Sequence, residues 1–150
     1  MDPQTMESEI SLEIILVQPT PGVVFGLQEG SGSNYKSVQK QMATDSDLTF
    51  RFTIIAKGDK NKEVLPRLSG NVVQGPPAGR FIYIDIGTYA GQSDSIWGRR
   101  LKIPLTGITW QVMNSLPSDG VLQTIVPGTG KDGGPNCATV KPFDGWHLKK

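Results

Sequence analysis

At 150 residues the chain has the length of one domain with room for a real core. Its formal net charge of +1 argues against a strong overall pull toward nucleic acid or an anionic membrane. Its 18 glycines and 11 prolines, with 37% hydrophobic residues in compact blocks, argue against long helices and disorder, and predict many short elements joined by tight turns.

Residues 1–8 carry no sustained pattern and are expected to form a disordered N-terminal tail. Residues 9–150 are read as a single β domain. In residues 9–18, Ile10, Leu12, Ile14 and Leu16 alternate with Glu9, Ser11 and Glu13, a period of two that marks a strand with one buried face. Pro19-Thr20-Pro21-Gly22 breaks it. Residues 23–29 follow as a second strand, with Val23, Phe25 and Leu27 on one face. The two read as a hairpin. Residues 35–42 are more polar and suit an edge strand.

Residues 48–57 alternate most cleanly, with Leu48, Phe50, Phe52 and Ile54 against Thr49, Arg51 and Thr53. Residues 65–74 have room for one further short strand. Gly75-Pro76-Pro77-Ala78-Gly79 is a turn that no helix or central strand accommodates. Residues 80–87, rich in isoleucine and aromatics, form a strong strand, and residues 97–105 are its hairpin partner. Thr106 is placed to cap a short helix near 107–116 that ends at Pro117. Residues 121–126 and 138–143 complete the strands, with a glycine-rich connection over residues 127–136. The expectation is a mainly β, antiparallel sandwich or barrel of about eight short strands with one short helix.

Cys137 is the only cysteine, so the chain can form no internal disulfide and no cysteine-based zinc site. A reducing compartment follows, and with no basic n-region or apolar run of span length the expected location is cytoplasmic. No metal or other cofactor is expected, nor is a nucleic-acid or membrane partner. A small anion or a protein is the kind of partner left open, and the oligomeric state is not legible.

The segments Pro21-Gly22-Val23-Val24-Phe25-Gly26-Leu27-Gln28, Arg99-Arg100-Leu101-Lys102-Ile103-Pro104-Leu105 and residues 127–146, from Pro127-Gly128-Thr129-Gly130 to Asp144-Gly145-Trp146, resemble a family of small bacterial proteins catalogued only as a domain of unknown function. The resemblance extends from about Leu12 to Trp146. It implies a bacterial, single-domain protein and assigns no activity, ligand or catalytic residue.

Motifs that would carry chemistry fail one by one. Gly128-Thr129-Gly130-Lys131-Asp132-Gly133 spells the dinucleotide-binding glycine pattern, but Gly134-Pro135 follows where a helix N-terminus is needed. Asp132 stands where a P-loop needs Ser or Thr. The stretch reads first as a connection. Its second reading is an anion-binding nest of backbone amides at Gly130, Gly133 and Gly134, with Lys131 facing the ligand. Gly91-Gln92-Ser93-Asp94-Ser95 lacks the last glycine of a nucleophile elbow. The single histidine, His147, sits in the C-terminal tail beside two lysines and reads as solvated. Asp59-Lys60-Asn61-Lys62-Glu63 begins like a calcium loop, but Val64 replaces the sharp-turn glycine.

Asp85 is the exceptional polar residue. It stands inside Phe81-Ile82-Tyr83-Ile84-Asp85-Ile86, where a buried charge needs a partner. A hairpin centred near Gln92 sets Asp85 opposite Arg99, with Arg100 as the alternative one register step away. The pair reads as structural first, and as a polar site with Tyr83 second. Trp97, Trp110 and Trp146 could offer a stacking surface, with Trp146 as an anchor for the C-terminus.

The scarcity of catalytic groups favours a non-enzymatic binding or interaction module, holding a small anionic ligand at residues 127–136 with Arg99 and Asp85 as outside candidates. Two alternatives stand beside it. One is a small enzyme using Asp85 or Asp144 as general acid or base with Arg99. The other is a protein that self-assembles through an edge strand.

Overall fold

A computed structural model describes residues 5–19, 21–30, 36–75, 81–89, 95–117, 119–127, 138–139 and 145–149. Ten strands and one short helix are found among them: β1 (Thr5–Val17), β2 (Val23–Glu29), β3 (Lys36–Met42), β4 (Leu48–Asp59), β5 (Arg67–Ser69), β6 (Phe81–Tyr89), β7 (Ser95–Pro104), α1 (Trp110–Asn114), β8 (Val121–Pro127), β9 (Ala138–Thr139) and β10 (His147–Leu148). They build two five-stranded sheets, ordered β10-β8-β1-β4-β5 and β3-β2-β6-β7-β9. The architecture is a mainly β sandwich and not a closed barrel.

The period of two decides which side chains meet. Ile10, Leu12, Ile14 and Leu16 of β1, with Leu48, Phe50, Phe52 and Ile54 of β4, line the inner face of the first sheet. Phe25 and Leu27, Ile82, Ile84 and Ile86, and Leu101 and Ile103 line that of the second. These residues share one apolar cluster, and burying it is the main force holding the two layers together.

Several expectations are corrected. Residues 5–8 lie in β1, where Thr5 pairs with Asp59 and Ser8 with Ala56. A tail over residues 1–8 is therefore too long. β1 and β2 are not a hairpin: β1 pairs with β4 and β8, while β2 pairs with β3 and β6. The turn between them carries the chain from one sheet to the other. Gln18 takes a positive φ of 50°, and the Gly22 amide is held by the Ala43 carbonyl at 2.9 Å. Two of the pairings, β1 with β8 and β7 with β9, are parallel. Helix α1 is shorter than expected. Its cap is Thr109, whose Oγ1 accepts from the Val112 amide at 3.1 Å, because Gly107, at φ 92°, belongs to the preceding turn.

β3 is an edge strand, as its polarity suggests. A bulge between its pairings with Phe25 and Leu27 coincides with a positive φ of 52° at Gln39. Its glutamines reach across to the other sheet. Gln39 Nε2 donates to the Arg51 carbonyl and Gln41 Nε2 to the Thr49 carbonyl, both at 2.9 Å. β5 pairs with Ile55, Ala56 and Lys57 of β4, so these two side chains satisfy carbonyls that, among the described residues, no strand pairs on that side. A bulged edge already engaged this way is a poor template for a second copy.

Candidate functional site

The outer face of the second sheet holds the polar group that the sequence singles out. On β6, alternation turns Phe81, Tyr83 and Asp85 away from the core, while Ile82, Ile84 and Ile86 face into it. On β7, Arg100 and Lys102 share that outer face, opposite Asp85 and Tyr83 respectively. Arg99 pairs with Ile86 instead. The strand ends follow the hairpin register expected from the sequence, with Tyr89 opposite Ser95. One extra residue in β7, Gly98, then breaks the ladder between Ile86 and Gly87. That bulge moves the partner of Asp85 from Arg99 to Arg100.

Asp85 is 1% exposed. Its Oδ2 accepts a hydrogen bond from Ser37 Oγ at 2.6 Å. Its Oδ1 lies 3.4 Å from Arg100 Nε, an ion-pair distance with poor alignment, and takes no hydrogen bond among the described residues. Burial pushes the carboxyl above its ordinary range, and the Ser37 hydrogen bond and the Arg100 charge offset that only in part. Ser37 was not legible as a partner, since it lies 48 residues away on a strand two places across the sheet.

Each cation leans one diagonal step along the neighbouring strand onto an aromatic ring. Arg100 Cζ lies 4.7 Å from the Tyr83 ring centroid, and Lys102 Nζ lies 4.2 Å from that of Phe81. The two rings contact each other with centroids 5.0 Å apart. Among the described residues Lys102 has no carboxylate partner. The stripe is therefore two cations with one buried acid, fixed by a rigid ladder. Chemically it can receive an anionic group. Asp85 is enclosed, with its carboxylate at ion-pair distance from Arg100.

The remaining candidates either lie outside the described residues or sit elsewhere in the fold. Residues 128–136, with Gly130, Lys131, Gly133 and Gly134, lie outside the described residues, as do Asp144, residues 90–94 and the side chains of Arg99 and Trp97. β9, which follows the glycine-rich segment, pairs Thr139 with Lys102 at the edge of the same sheet. His147 is exposed on β10 of the other sheet. Asp59 is occupied by its own turn: its Oδ1 accepts from the Asn61 amide at 2.9 Å, and its carbonyl from the Lys62 and Glu63 amides. Among the described residues no group of three or more His, Cys, Asp or Glu could hold a metal. Trp110 and Trp146 are buried, which leaves neither ring to stack on a ligand.

A second polar cluster was missed from sequence. Glu13, on the outer face of β1, is nearly buried between Arg51 and Gln123, its direct cross-strand neighbours. It accepts from Gln123 Nε2 at 2.6 Å and Lys149 Nζ at 3.0 Å, with Arg51 Nε at 3.4 Å. Burial acts to raise its pKa, but the hydrogen bonds and charges of Lys149, Gln123 and Arg51 together hold it below the ordinary value. All the partners belong to one sheet and its C-terminal tail, so the cluster reads as a structural clasp.

The fold and the charged stripe define a two-sheet β-sandwich with a cation-bearing outer face. The chain belongs to a family of unknown function (DUF5990), which it matches over residues 10–149. No curated protein and no solved structure matches it at a significant level. Among the described residues no helix is long and apolar enough to cross a membrane.

The opposed causes at Asp85 give an expected result. Asp85→Asn keeps an acceptor for Ser37 and removes a charge that burial disfavours. Its unfolding free energy at neutral pH, measured in urea, is expected to equal or exceed that of the parent by up to about 1 kcal/mol. For the parent, a folded-state pKa above the unfolded 3.8 means that stability falls as pH rises from 3.8 through the folded value. The variant lacks that fall. A loss above about 2 kcal/mol would show instead that the ionised pair is a net stabiliser.

Proposed function

We propose that the protein is a non-enzymatic binding module that receives an anionic group on the outer face of its second sheet, between Arg100 and Lys102. The observation that carries this reading is the stacking of both cations on Tyr83 and Phe81, which fixes two positive groups on one face before any ligand arrives. Residues two apart on a strand stand about 7 Å apart, a spacing that suits two oxyanion groups of one ligand. Because the side chains are already ordered, less conformational entropy is lost on binding.

The glycine-rich segment anticipated as an anion nest leads into β9, whose Thr139 stands beside Lys102. Lys131 and the stripe are accordingly proposed to serve one ligand. Catalysis through Asp85 is the weaker reading, since the carboxyl is enclosed.

Calorimetric titration with inorganic phosphate, pyrophosphate and nucleoside phosphates tests this. Lys102→Ala is expected to weaken the binding of any hit about 10-fold or more, while neutral sugars give no heat. Lys102 is half-buried on the outer face and is not part of the apolar cluster, so the variant should fold. The proposal fails if no anion binds, or if a bound anion is indifferent to Lys102→Ala.

A further inference from the structure

β1 is longer than its neighbour on one side. It pairs with β4 over residues 5–16, but β8 joins it only from Ser11, opposite Val121. Among the described residues, residues 5–10 are thus paired on one side alone, and no backbone hydrogen bond reaches their other edge. Where β8 would continue, the chain turns away, with the Gly120 amide bonded to the Pro117 carbonyl at 2.8 Å. A cleft of about 280 Å³ remains between this open edge and the wall formed by α1 with Leu116, Pro117, Asp119 and Gly120. Ser8, Glu9 and Ile10 form its strand side, and Met113, Leu116 and Pro117 the facing apolar side.

We infer that this cleft receives an extended segment of a partner polypeptide in which apolar and basic residues alternate, added to the first sheet in line with β8. A strand edge carries unpaired amides and carbonyls at a spacing that any extended chain can match, and the side pockets decide which chain. An added strand lies about 4.8 Å from β1, and its side chains alternate between the two faces of the sheet. Those on the inner face meet Met113 and Leu116, which already pack against the core. Those on the outer face meet Glu9, with Asp119 at the rim. Both acids are exposed, and among the described residues no Lys, Arg or His lines the cleft. The charge complement is therefore basic.

The same charges argue against a second copy of this chain. Two antiparallel copies of β1 would bring Glu7 and Glu9 of each against those of the other, an unfavourable arrangement. The chain's own polar edge, β3, is bulged and engaged by β4.

A displayed library of short linear peptides, selected on the full chain, gives the test. Selected sequences are expected to alternate apolar residues with Lys or Arg. Their synthetic copies should slow backbone amide exchange at residues on the open edge of β1, between 6 and 10. The double variant Glu9→Lys, Asp119→Lys should weaken binding about 10-fold or more, while Lys102→Ala leaves it unchanged. Both reversed positions are exposed, so the fold tolerates them. Failure to select any peptide would overturn the inference. So would binders indifferent to the charge reversal, or protection that maps elsewhere. Concentration-dependent dimers of the protein alone, with residues 6–10 already protected, would assign the edge to a second copy instead.

Discussion

Trp146→Ala is expected to lower the unfolding free energy by about 3–5 kcal/mol, a large share of what a domain of this size possesses. Trp146 is 8% exposed and belongs to the apolar cluster between the sheets. Its Nε1 donates to the Pro104 carbonyl at 2.9 Å. Pro104 closes β7 in the second sheet, while Trp146 directly precedes β10 in the first. One side chain therefore ties the C-terminal segment of one sheet to a strand end of the other. Trp146→Phe keeps much of the buried area but leaves that carbonyl without its donor, and should cost about 1–2 kcal/mol. Urea denaturation of the three proteins checks the order. An alanine variant within about 1 kcal/mol of the parent would mean that the C-terminal segment lies outside the cooperative unit.

The strands were legible because a period of two survives wherever one face is buried. Ile10 to Leu16 and Leu48 to Ile54 announce themselves this way, and the anchoring of Trp146 follows from a large apolar ring at the end of a β domain. What alternation cannot report is the neighbour. The pattern in β1 is equally compatible with pairing to β2, and the turn residues between them suggested a hairpin. Both strands in fact bury their apolar faces against each other's sheet, so the same pattern serves two layers. The parallel partners β1 and β8 are more than a hundred residues apart in sequence, beyond any local signal. β10, two exposed residues long, offers no period at all.

The candidate site shows the same division. Asp85 stood out because a carboxylate in an apolar strand needs an explanation. The hairpin register offers Arg99 first and Arg100 one step away, and a single unpaired glycine in β7 selects Arg100. Arg99 and Arg100 are chemically identical in the sequence. Only the ladder distinguishes the one that faces Asp85. Glu13 passed unremarked for a related reason. On an alternating strand it occupies an ordinary outward position, and only the convergence of Arg51, Gln123 and Lys149 makes it buried.

Glu13→Gln is expected to cost about 2 kcal/mol at neutral pH, and the loss should vanish in acid. The clasp depends on the ionised carboxylate. Lys149 and Arg51 are drawn to its charge, and the Gln123 amide donates to it. The uncharged amide of the variant keeps the shape but loses the attraction. The cations it leaves are partly exposed and recover water, which holds the cost below that of stranding a buried charge. The sign with pH follows from a folded-state pKa held below the unfolded 4.5. The contribution is full above 4.5. It is lost as pH falls through the folded value, where the native carboxylate is finally protonated. Asp85 contributes with the opposite sign in the same acid region, because its folded pKa is raised. Unfolding curves at stepped pH separate the two: Glu13→Gln flattens the loss of stability toward acid, and Asp85→Asn steepens it. If Glu13→Gln kept the parent's full acid dependence, the clasp would not be the group that acid opens. The C-terminal segment would then be held chiefly by Trp146 and the β8 pairing.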